Sequence, residues 1–188
     1  MTPRALAVAA PAKLNLFLHV TGRRAAGYHT LESLFALIDL ADTIELVDRE
    51  DGTISRDIAV PGVSERDDLT LRAAHALREA VAENRGASIR VTKRIPSGAG
   101  LGGGSSDAAS VLLGLNRLWS LGLSPVPLTR IGVRFGSAVP CSLGGCAAPP
   151  LALADVLTPR VLPPFWVPSP HPTRPVRPAR AVRHPTET

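Results

Sequence analysis

The sequence contains few aromatic residues and only two cysteines, and each shortage argues against a class of protein. Phe, Trp and Tyr make up 4% of the 188 residues, and no stripe of basic residues with aromatic residues between them is present, so we expect no nucleic-acid partner. Cys141 and Cys146 lie five positions apart, which fits neither a C-x-x-C redox site nor a zinc site. We therefore expect buried or free thiols in a reducing cytoplasm, and we assign no side chain as a metal ligand.

Long apolar runs are also missing. No stretch of about 18 or more apolar residues occurs, so we expect neither a transmembrane helix nor a membrane partner. The apolar start of the chain is interrupted by Lys13 and Asn15, and its pattern is that of a strand rather than of a secretory signal. Together these absences predict a cytoplasmic protein.

Proline and arginine dominate the end of the chain. Eleven of the 18 prolines lie between Pro149 and the C-terminus. The same segment has five arginines and only two acidic residues, Asp155 and Glu187, so +3 of the net charge of +5 belongs to it. Because proline fixes φ and lacks an amide hydrogen, the segment can form neither a helix nor a central strand. We expect a folded domain over residues 1–148 and a disordered tail over residues 149–188, with a Pro-rich ligand for a recognition module as the alternative for the tail.

Lysine is rare in a chain that is rich in arginine. Of the 21 basic residues, only Lys13 and Lys93 are lysine, and the abundance of Arg, Ala, Pro and Gly is typical of a GC-rich gene. Lysine carries a compact point charge whereas arginine is a planar fork, so a retained lysine raises the question of a chemical role. Chance retention of the two lysines is the alternative.

Alternation of apolar and polar residues predicts two strands near the N-terminus. Residues 12–20 place Lys13 and Asn15 on one face, roughly 7 Å apart along the strand, and four apolar residues on the other, which we expect to be buried; these are Leu14, Leu16, Leu18 and Val20. Residues 42–48, "DTIELVD", predict the second strand.

Helical spacing and a third alternating segment follow. Residues 67–84 predict an amphipathic helix that is capped by Asp67 or Asp68 and has Ala73, Ala74, Leu77, Ala80 and Val81 on its packed face. Residues 88–95, "SIRVTKRI", predict a strand in which Lys93 breaks the apolar face. Residues 105–123 predict a helix that closes at Gly122, with six packed residues: Ala108, Val111, Leu112, Leu115, Leu118 and Trp119. Interspersed strands and helices indicate an α/β or α+β domain.

A glycine-rich loop separates the third strand from the second helix. The stretch "RIPSGAGLGGGSSDAA", residues 94–109, has five glycines in the seven positions from Gly98 to Gly104. Glycines let the backbone approach a ligand closely, and a helix start presents unpaired N–H groups, so a strand, a glycine run and a helix in this order favour a bound polyphosphate. Ser105 and Ser106 could cap the helix or reach a magnesium ion held by the phosphates. The alternative is a flexible hairpin or a tight helix entry.

The glycine-rich loop does not match three known phosphate-binding motifs. A Walker A loop needs a lysine before its Ser or Thr, and Gly104 stands there instead. Gly98, Gly100 and Gly103 satisfy G-x-G-x-x-G, but the preceding strand alternates with arginines and no acidic residue follows about twenty positions on. The V-A-I-K, H-R-D and D-F-G motifs of protein kinases are absent from the sequence.

Two motifs resemble those of the GHMP small-molecule kinases. Pro96–Ala109, "PSGAGLGGGSSDAA", is similar to the family's phosphate-loop signature. Pro11–Phe35, "PAKLNLFLHVTGRRAAGYHTLESLF", is similar to the branch of the family that phosphorylates the 2-hydroxyl of 4-diphosphocytidyl-2-C-methyl-D-erythritol in non-mevalonate isoprenoid biosynthesis. The resemblance covers residues 8 to 147. It implies an α+β N-terminal domain with the ribosomal-protein-S5-like fold, followed in the family by a second GHMP domain.

The resemblance also implies roles for individual residues. ATP is the expected co-substrate, with Mg²⁺ carried on it, and Lys13 would act as the catalytic residue beside the reacting hydroxyl. Asn15 would bind the substrate next to it, and Tyr28 and His29 would recognise the cytosine, their alternative being ordinary packing at the end of a loop. The residues expected to wrap the ATP phosphates are Pro96, Ser97, Gly98, Ala99, Gly100, Leu101, Gly102, Gly103, Gly104, Ser105 and Ser106.

The sequence departs from the family pattern in two places. The segment "RFGSAVPCSLGG" resembles the family's G-[AS]-D-V-P, whose aspartate is the expected general base, but Ala138 stands at that position. A general base contributes about 10²–10⁴-fold to a rate. After residue 147 the family's C-terminal domain is not recognisable, and a shifted reading frame is our hypothesis for the tail. The alternatives to an active kinase are therefore a catalytically impaired nucleotide-binding remnant and an interaction protein that uses its Pro-rich tail.

Overall fold

A computed structural model of the protein describes residues 3–23, 29–60, 62–136 and 138–143. Four strands and four α-helices occur in these residues: β1 (Ala5–Arg23), β2 (His29–Arg49), β3 (Ile54–Arg56), α1 (Leu69–Ala80), β4 (Gly86–Thr92), α2 (Gly103–Leu118), α3 (Pro125–Gly132) and α4 (Ala138–Ser142). A 3₁₀ turn, Val133–Phe135, follows α3. The predicted α+β class is confirmed. The predicted tail, residues 149–188, lies outside the described residues.

The four strands form one mixed sheet in the order β1-β2-β4-β3. β2 pairs antiparallel with both β1 and β4, and β3 pairs parallel with β4. The predicted strands over 12–20 and 42–48 lie within β1 and β2, and the one over 88–95 overlaps β4, which ends at Thr92. β3 was not predicted, because three residues are too few to show a period of two.

Among the described residues, helices cover one face of the sheet and no element covers the other. On the covered face Leu46 pairs with Ile89, and both are fully buried. On the opposite face the paired residues Ala7, Glu45 and Arg90 are exposed. This alternation of buried and exposed residues is the pattern expected of an antiparallel sheet with one solvated face.

The far half of β1 does not follow the predicted alternation. The pairing of β1 with β2 shifts register between Pro11 and Lys13 and again between Asn15 and Phe17. Each shift is a bulge that bends the strand and changes the face on which the following side chains lie. Leu16 is 39% exposed, so the prediction that it is buried is wrong. The side chains of Leu18 and Val20 lie outside the described residues.

Helix α1 begins later and ends earlier than the sequence predicts. Asp68 is the N-cap, and its Oδ1 accepts a hydrogen bond from the amide of Thr70 at 2.9 Å, which is the expected capping geometry. The helix ends at Ala80, which is exposed, so the prediction that this residue packs in the core is wrong. The prediction for Ala73, Ala74 and Leu77 is confirmed, since all three are fully buried.

Helix α2 crosses the sheet at close range. A Cβ on Gly114 would lie 2.4 Å from Leu46 Cδ1 and 3.3 Å from Val8 Cγ2, so a side chain at this position would collide with the sheet. All six residues predicted to pack on this helix are buried. The helix ends at Leu118 rather than at Gly122. None of the helices in the described part of the chain is long and apolar enough to cross a membrane.

Candidate active site

The glycine loop leads directly into helix α2. Gly98, Gly100 and Gly102 have φ of +75°, +76° and +69°, a conformation that side-chain-bearing residues rarely adopt. Gly102 is the N-cap of α2 and provides no side-chain hydrogen bond, so the prediction that Ser105 or Ser106 caps the helix is wrong. The helix starts two residues earlier than predicted because Gly103 and Gly104 take the helical conformation, and both serines then fall within its first turn.

Main-chain donors without an intrahelical partner lie at this helix start. The first intrahelical hydrogen bond runs from the amide of Ser106 to the carbonyl of Gly102 at 3.0 Å, so the amides of Gly103, Gly104 and Ser105 precede it. Amides at a helix N-terminus, with the positive end of the helix dipole behind them, favour an anion. The hydroxyl Oγ of Ser106 is buried and has no hydrogen-bond partner within the described residues.

A cavity of about 300 Å³ opens along the loop. Its lining includes residues 96–104, the start of α1 at residues 67–70, and the side chains of Lys93 and Asp107. The volume is at the lower end of the range for small-molecule sites, and the lining combines main-chain donors with a few charged groups. These residues suit a phosphorylated ligand.

Lys13 lies against the same loop, from strand β1. Its amide donates to the carbonyl of Leu101 at 2.8 Å, and a Cβ on Gly102 would lie 3.3 Å from its Cε. Its Nζ donates to Oδ1 of Asn15 and lies 4.9 Å from the ring centroid of Phe35. Burial lowers the pKa of Lys13, and the thiol of Cys141 opposes this shift. The structure thus brings Lys13, Asn15 and the glycine loop together.

A second group of charges, which sequence reasoning missed in part, lies behind the loop. Lys93 Nζ donates to Asp42 Oδ2 at 2.5 Å and to Asp107 Oδ2 at 2.8 Å. Asp42 is fully buried and Asp107 is 4% exposed. The sequence held a signal for Asp42, because a period of two places it on the same face of β2 as the buried Ile44 and Leu46.

The two carboxyl groups differ in their partners, and their pKa values shift in opposite directions. Burial raises the pKa of Asp42, but hydrogen bonds from Lys93 and from the amides of Ile95 and Arg94 outweigh it and hold the pKa below its usual range. Burial raises the pKa of Asp107 to about 7, against the opposing hydrogen bond from Lys93. Burial also lowers the pKa of Lys93, but its bonds to both carboxylates leave it raised. The ammonium of Lys93 therefore bonds one acid whose charged form is favoured by its hydrogen bonds and one whose charged form is disfavoured by burial.

Three residues that the sequence analysis singles out lie at or beyond the limits of the described ranges. Tyr28 lies outside them, and His29 pairs with Arg23 at the start of β2 while its side chain is not described. Ala138 is the first residue of the short helix α4 and is half-buried. Its methyl group cannot accept a proton.

Comparison with protein families and curated proteins gives a consistent result. Residues 68–149 match the GHMP kinases N terminal domain. The 4-diphosphocytidyl-2-C-methyl-D-erythritol kinase of Cupriavidus necator is 51% identical over 163 residues, which are 87% of this chain and 56% of the relative. The protein of the same name from Verminephrobacter eiseniae is 54% identical over 151 residues, which are 80% of this chain and 50% of the relative. The chain therefore spans about half the length of the curated relatives it matches.

Solved structures agree with the sequence comparisons. A crystal structure of 4-(cytidine 5'-diphospho)-2C-methyl-D-erythritol kinase matches with a TM-score of 0.68 at 40% identity, over 84% of this chain and 56% of that one. A crystal structure of mevalonate kinase matches with a TM-score of 0.53 at 19% identity, over 69% of this chain and 46% of that one, and shares the fold alone. With the glycine loop, the mixed sheet and these similarities in agreement, the chain belongs to the GHMP kinase family.

Proposed function

We infer that this chain binds ATP at its glycine loop and supplies the nucleotide-binding half of an ATP-dependent kinase acting on an alcohol group. The observation that carries this inference is the position of Lys13, whose amide is bonded to Leu101 within the loop at 2.8 Å. A cation on one strand and a row of main-chain donors on the neighbouring loop are two of the elements that phosphoryl transfer uses, since its catalysis rests mainly on positioning and on positive charge.

The substrate class follows from the relatives. Proteins about half identical to this chain are named 4-diphosphocytidyl-2-C-methyl-D-erythritol kinase, so the 2-hydroxyl of that compound is the acceptor that we propose. In this assignment the loop residues 96–106 hold the ATP phosphates, and Lys13 neutralises charge that develops on the transferred phosphoryl group. Asn15, which fixes the ammonium of Lys13, faces the acceptor, and Tyr28 and His29 recognise the cytosine. The reaction belongs to isoprenoid biosynthesis in the cytoplasm.

The magnesium ion is proposed to arrive with ATP. No cluster of three or more His, Cys, Asp or Glu side chains that could hold a metal occurs within the described residues. The phosphates themselves bind Mg²⁺, which usually takes only one or two protein carboxylates. Bound in this way the ion would offset the charge of the phosphates, while the residues of the chain position them.

A second candidate function is nucleotide binding without turnover, and Ala138 favours it. This residue begins α4 where the family pattern has an aspartate, and it offers no proton acceptor. Without a general base the rate falls by about 10²–10⁴-fold, while ATP binding at the loop is unaffected. The two candidates therefore predict the same affinity for ATP and different rates of ADP release.

ATP titration and a coupled ADP-release assay on the purified chain and its Ala138→Asp variant test both candidates. Binding of ATP by both proteins, with faster ADP release in the variant, is the result we expect. Normal turnover by the natural sequence would show that the missing aspartate at position 138 does not limit the rate. Binding without turnover in both proteins would favour nucleotide binding alone and show that Ala138 is not its only cause, and failure of both to bind ATP would overturn the proposed function.

A further inference from the structure

Asp42 connects the sheet to the start of the glycine loop. Its Oδ1 accepts hydrogen bonds from the amide of Arg94 at 2.5 Å and from the amide of Ile95 at 2.8 Å, and its Oδ2 accepts from Lys93. The side chain is fully buried and does not line the cavity. The residues that these three bonds reach, 93–95, are the ones that lead into the loop.

Lys93 extends this connection to the far end of the loop. Besides Asp42, its ammonium bonds Asp107 Oδ2 at 2.8 Å, and Asp107 lies in helix α2, which begins at Gly103. The ammonium also lies 3.2 Å from the position that a Cβ on Gly103 would take. Strand β2, the strand side of the loop and its helix side are therefore joined through one side chain.

We propose that Asp42, Lys93 and Asp107 form a latch that holds the two ends of the glycine loop at a fixed separation, so that the loop is ordered before ATP arrives. In this role Asp42 and Lys93 are positioning residues for the phosphate site. The inference about ATP rests on the proposed function, whereas the ordering of the loop does not.

The need for such a latch follows from the composition of the loop. Glycines lose more conformational freedom on ordering than other residues, and a binding site that is ordered only by its ligand has a correspondingly weaker affinity. A buried ion pair adds little net stability compared with apolar packing, because both charges must be desolvated. We therefore attribute the burial of Asp42 and Asp107 against Lys93 to the fixing of one loop geometry, and not to stabilisation of the fold.

The competing account is that Lys93 only contacts the phosphates directly, since it lines the cavity. Asp42 separates the two accounts, because it does not line the cavity and its side chain is hydrogen-bonded to Lys93 and to the amides of Arg94 and Ile95. An Asp42→Asn substitution keeps the size of the side chain and an oxygen for the amides, but removes the acceptor for the ammonium. Asp48→Asn is the matched control: it lies on the same strand, and its carboxylate is 8% exposed and paired with Arg85.

Amide hydrogen exchange of the full chain, without nucleotide, tests the ordering of the loop. We expect Asp42→Asn to raise exchange of the amides in residues 97–104 by about tenfold, as for the loss of one charge-assisted hydrogen bond, and to leave β4 unchanged. Asp48→Asn should leave the loop unchanged. If Asp42→Asn does not fold, Asp107→Ala cuts only the helix side of the latch and should raise exchange in the same residues. Unchanged loop exchange in the variant that folds would overturn the proposal.

A double-mutant cycle on ATP affinity separates positioning from direct contact. With Lys93→Met, Asp42→Asn and the double variant, a latch predicts that each single change weakens ATP binding by about tenfold and that the double change is no worse than the single ones. Additive losses, or natural affinity in Asp42→Asn, would overturn the positioning role. Should the natural chain bind no ATP, the proposed function fails while the exchange experiment still decides the latch.

Discussion

The amide of Lys13 donates to the carbonyl of Leu101 at 2.8 Å, so the strand that carries one of the two lysines is hydrogen-bonded to the middle of the glycine loop. This bond lies outside the regular pairing of the sheet. It means that the loop cannot shift without moving the backbone of β1. The cation proposed to act on the transferred phosphoryl group and the loop proposed to hold the phosphates therefore keep a fixed relation to each other.

Replacement of Gly102 tests this relation. Gly102→Ala places a methyl group 3.3 Å from Lys13 Cε at a residue whose φ is +69°. Non-glycine residues in the left-handed region cost about 1–2 kcal/mol, and the methyl group would also press on the lysine. We expect a loss of stability of this size, measured by urea unfolding, together with at least tenfold weaker ATP binding.

The control for that substitution is Gly122→Ala. Gly122 has φ of +65° and nothing within 4 Å of the Cβ position, so it carries the same backbone strain away from the site. Stability should fall by a similar amount while the affinity for ATP stays unchanged. Equal losses of affinity in both variants would show that general destabilisation, and not the contact with Lys13, is responsible.

The raised pKa of Asp107 predicts a pH dependence of stability. Its pKa is about 7 in the folded protein, above the ordinary value of 3.8. Between these values the folded state binds more protons than the unfolded state, so this residue makes the protein less stable as pH rises from about 4 to 7. The penalty is fully present above the folded pKa and absent below the unfolded one.

Asp107→Asn removes this titration while keeping an oxygen for Lys93. The free energy of unfolding of the variant relative to the natural chain should increase with pH over this interval, by up to about 1.4 kcal/mol per pH unit. Urea unfolding of both proteins at pH 5, 6 and 7 measures the difference, in which the other titrating groups largely cancel. A difference that is constant with pH would mean that Asp107 does not take up a proton in the folded state.

The N-cap of α1 gives a third prediction. Asp68 accepts from the amide of Thr70 at 2.9 Å and pairs with Arg56 at 3.1 Å, and both its own side chain and that of Arg56 are largely buried. Asp68→Ala should cost about 2–4 kcal/mol, because the cap is lost and the guanidinium of Arg56 loses its buried carboxylate, keeping the carbonyl of Val63 at 3.1 Å and the exposed Glu65 at 3.9 Å. Asp68→Asn keeps a capping oxygen and should cost less. Asp67→Ala, at the exposed neighbouring residue, should change thermal stability little, and a loss as large as that of Asp68→Ala would contradict the assignment of the cap.

The close approach of α2 to the sheet gives a fourth prediction. A Cβ on Gly114 would lie 2.4 Å from Leu46 Cδ1, and Leu46 is fully buried. Gly114→Ala therefore costs about 1–3 kcal/mol from overpacking, which exceeds the gain of up to about 1 kcal/mol in helix propensity. Combining it with Leu46→Ala provides the space, so the double variant should lose less than the sum of the single losses. Additive losses in thermal unfolding would contradict this account of the packing.

The parts of the fold that repeat a period along the chain could be predicted from the sequence. The helix faces around Leu77 and Leu112 follow from local spacing, and their burial is confirmed. The strand that contains Ile44 is likewise predicted from its composition and is confirmed as part of β2. The exposure of Leu16 could not be predicted, because a bulge depends on how β1 pairs with β2 and not on the composition of β1 alone.

The candidate site divides in the same way. The glycine loop can be recognised in the sequence alone, and the rarity of lysine singles out Lys93. Its partners Asp42 and Asp107 are 51 and 14 residues away in the sequence, and only the folded chain brings them to one ammonium group. The usual preference for serine at a helix start makes Ser105 and Ser106 candidate caps of α2, but Gly102, in the left-handed conformation, is the N-cap.

The donors at the start of α2 belong to the main chain, and this affects how the site can change in evolution. A point mutation can delete a side-chain ligand, but it cannot delete an amide, except by introducing proline. At Gly103 a mutation can only add atoms, and even a first added carbon would lie 3.1 Å from Ile95 and 3.2 Å from the ammonium of Lys93. Substitutions therefore leave the amide donors of this loop in place. What selection has to maintain is the absence of side chains that would collide with Ile95 and Lys93.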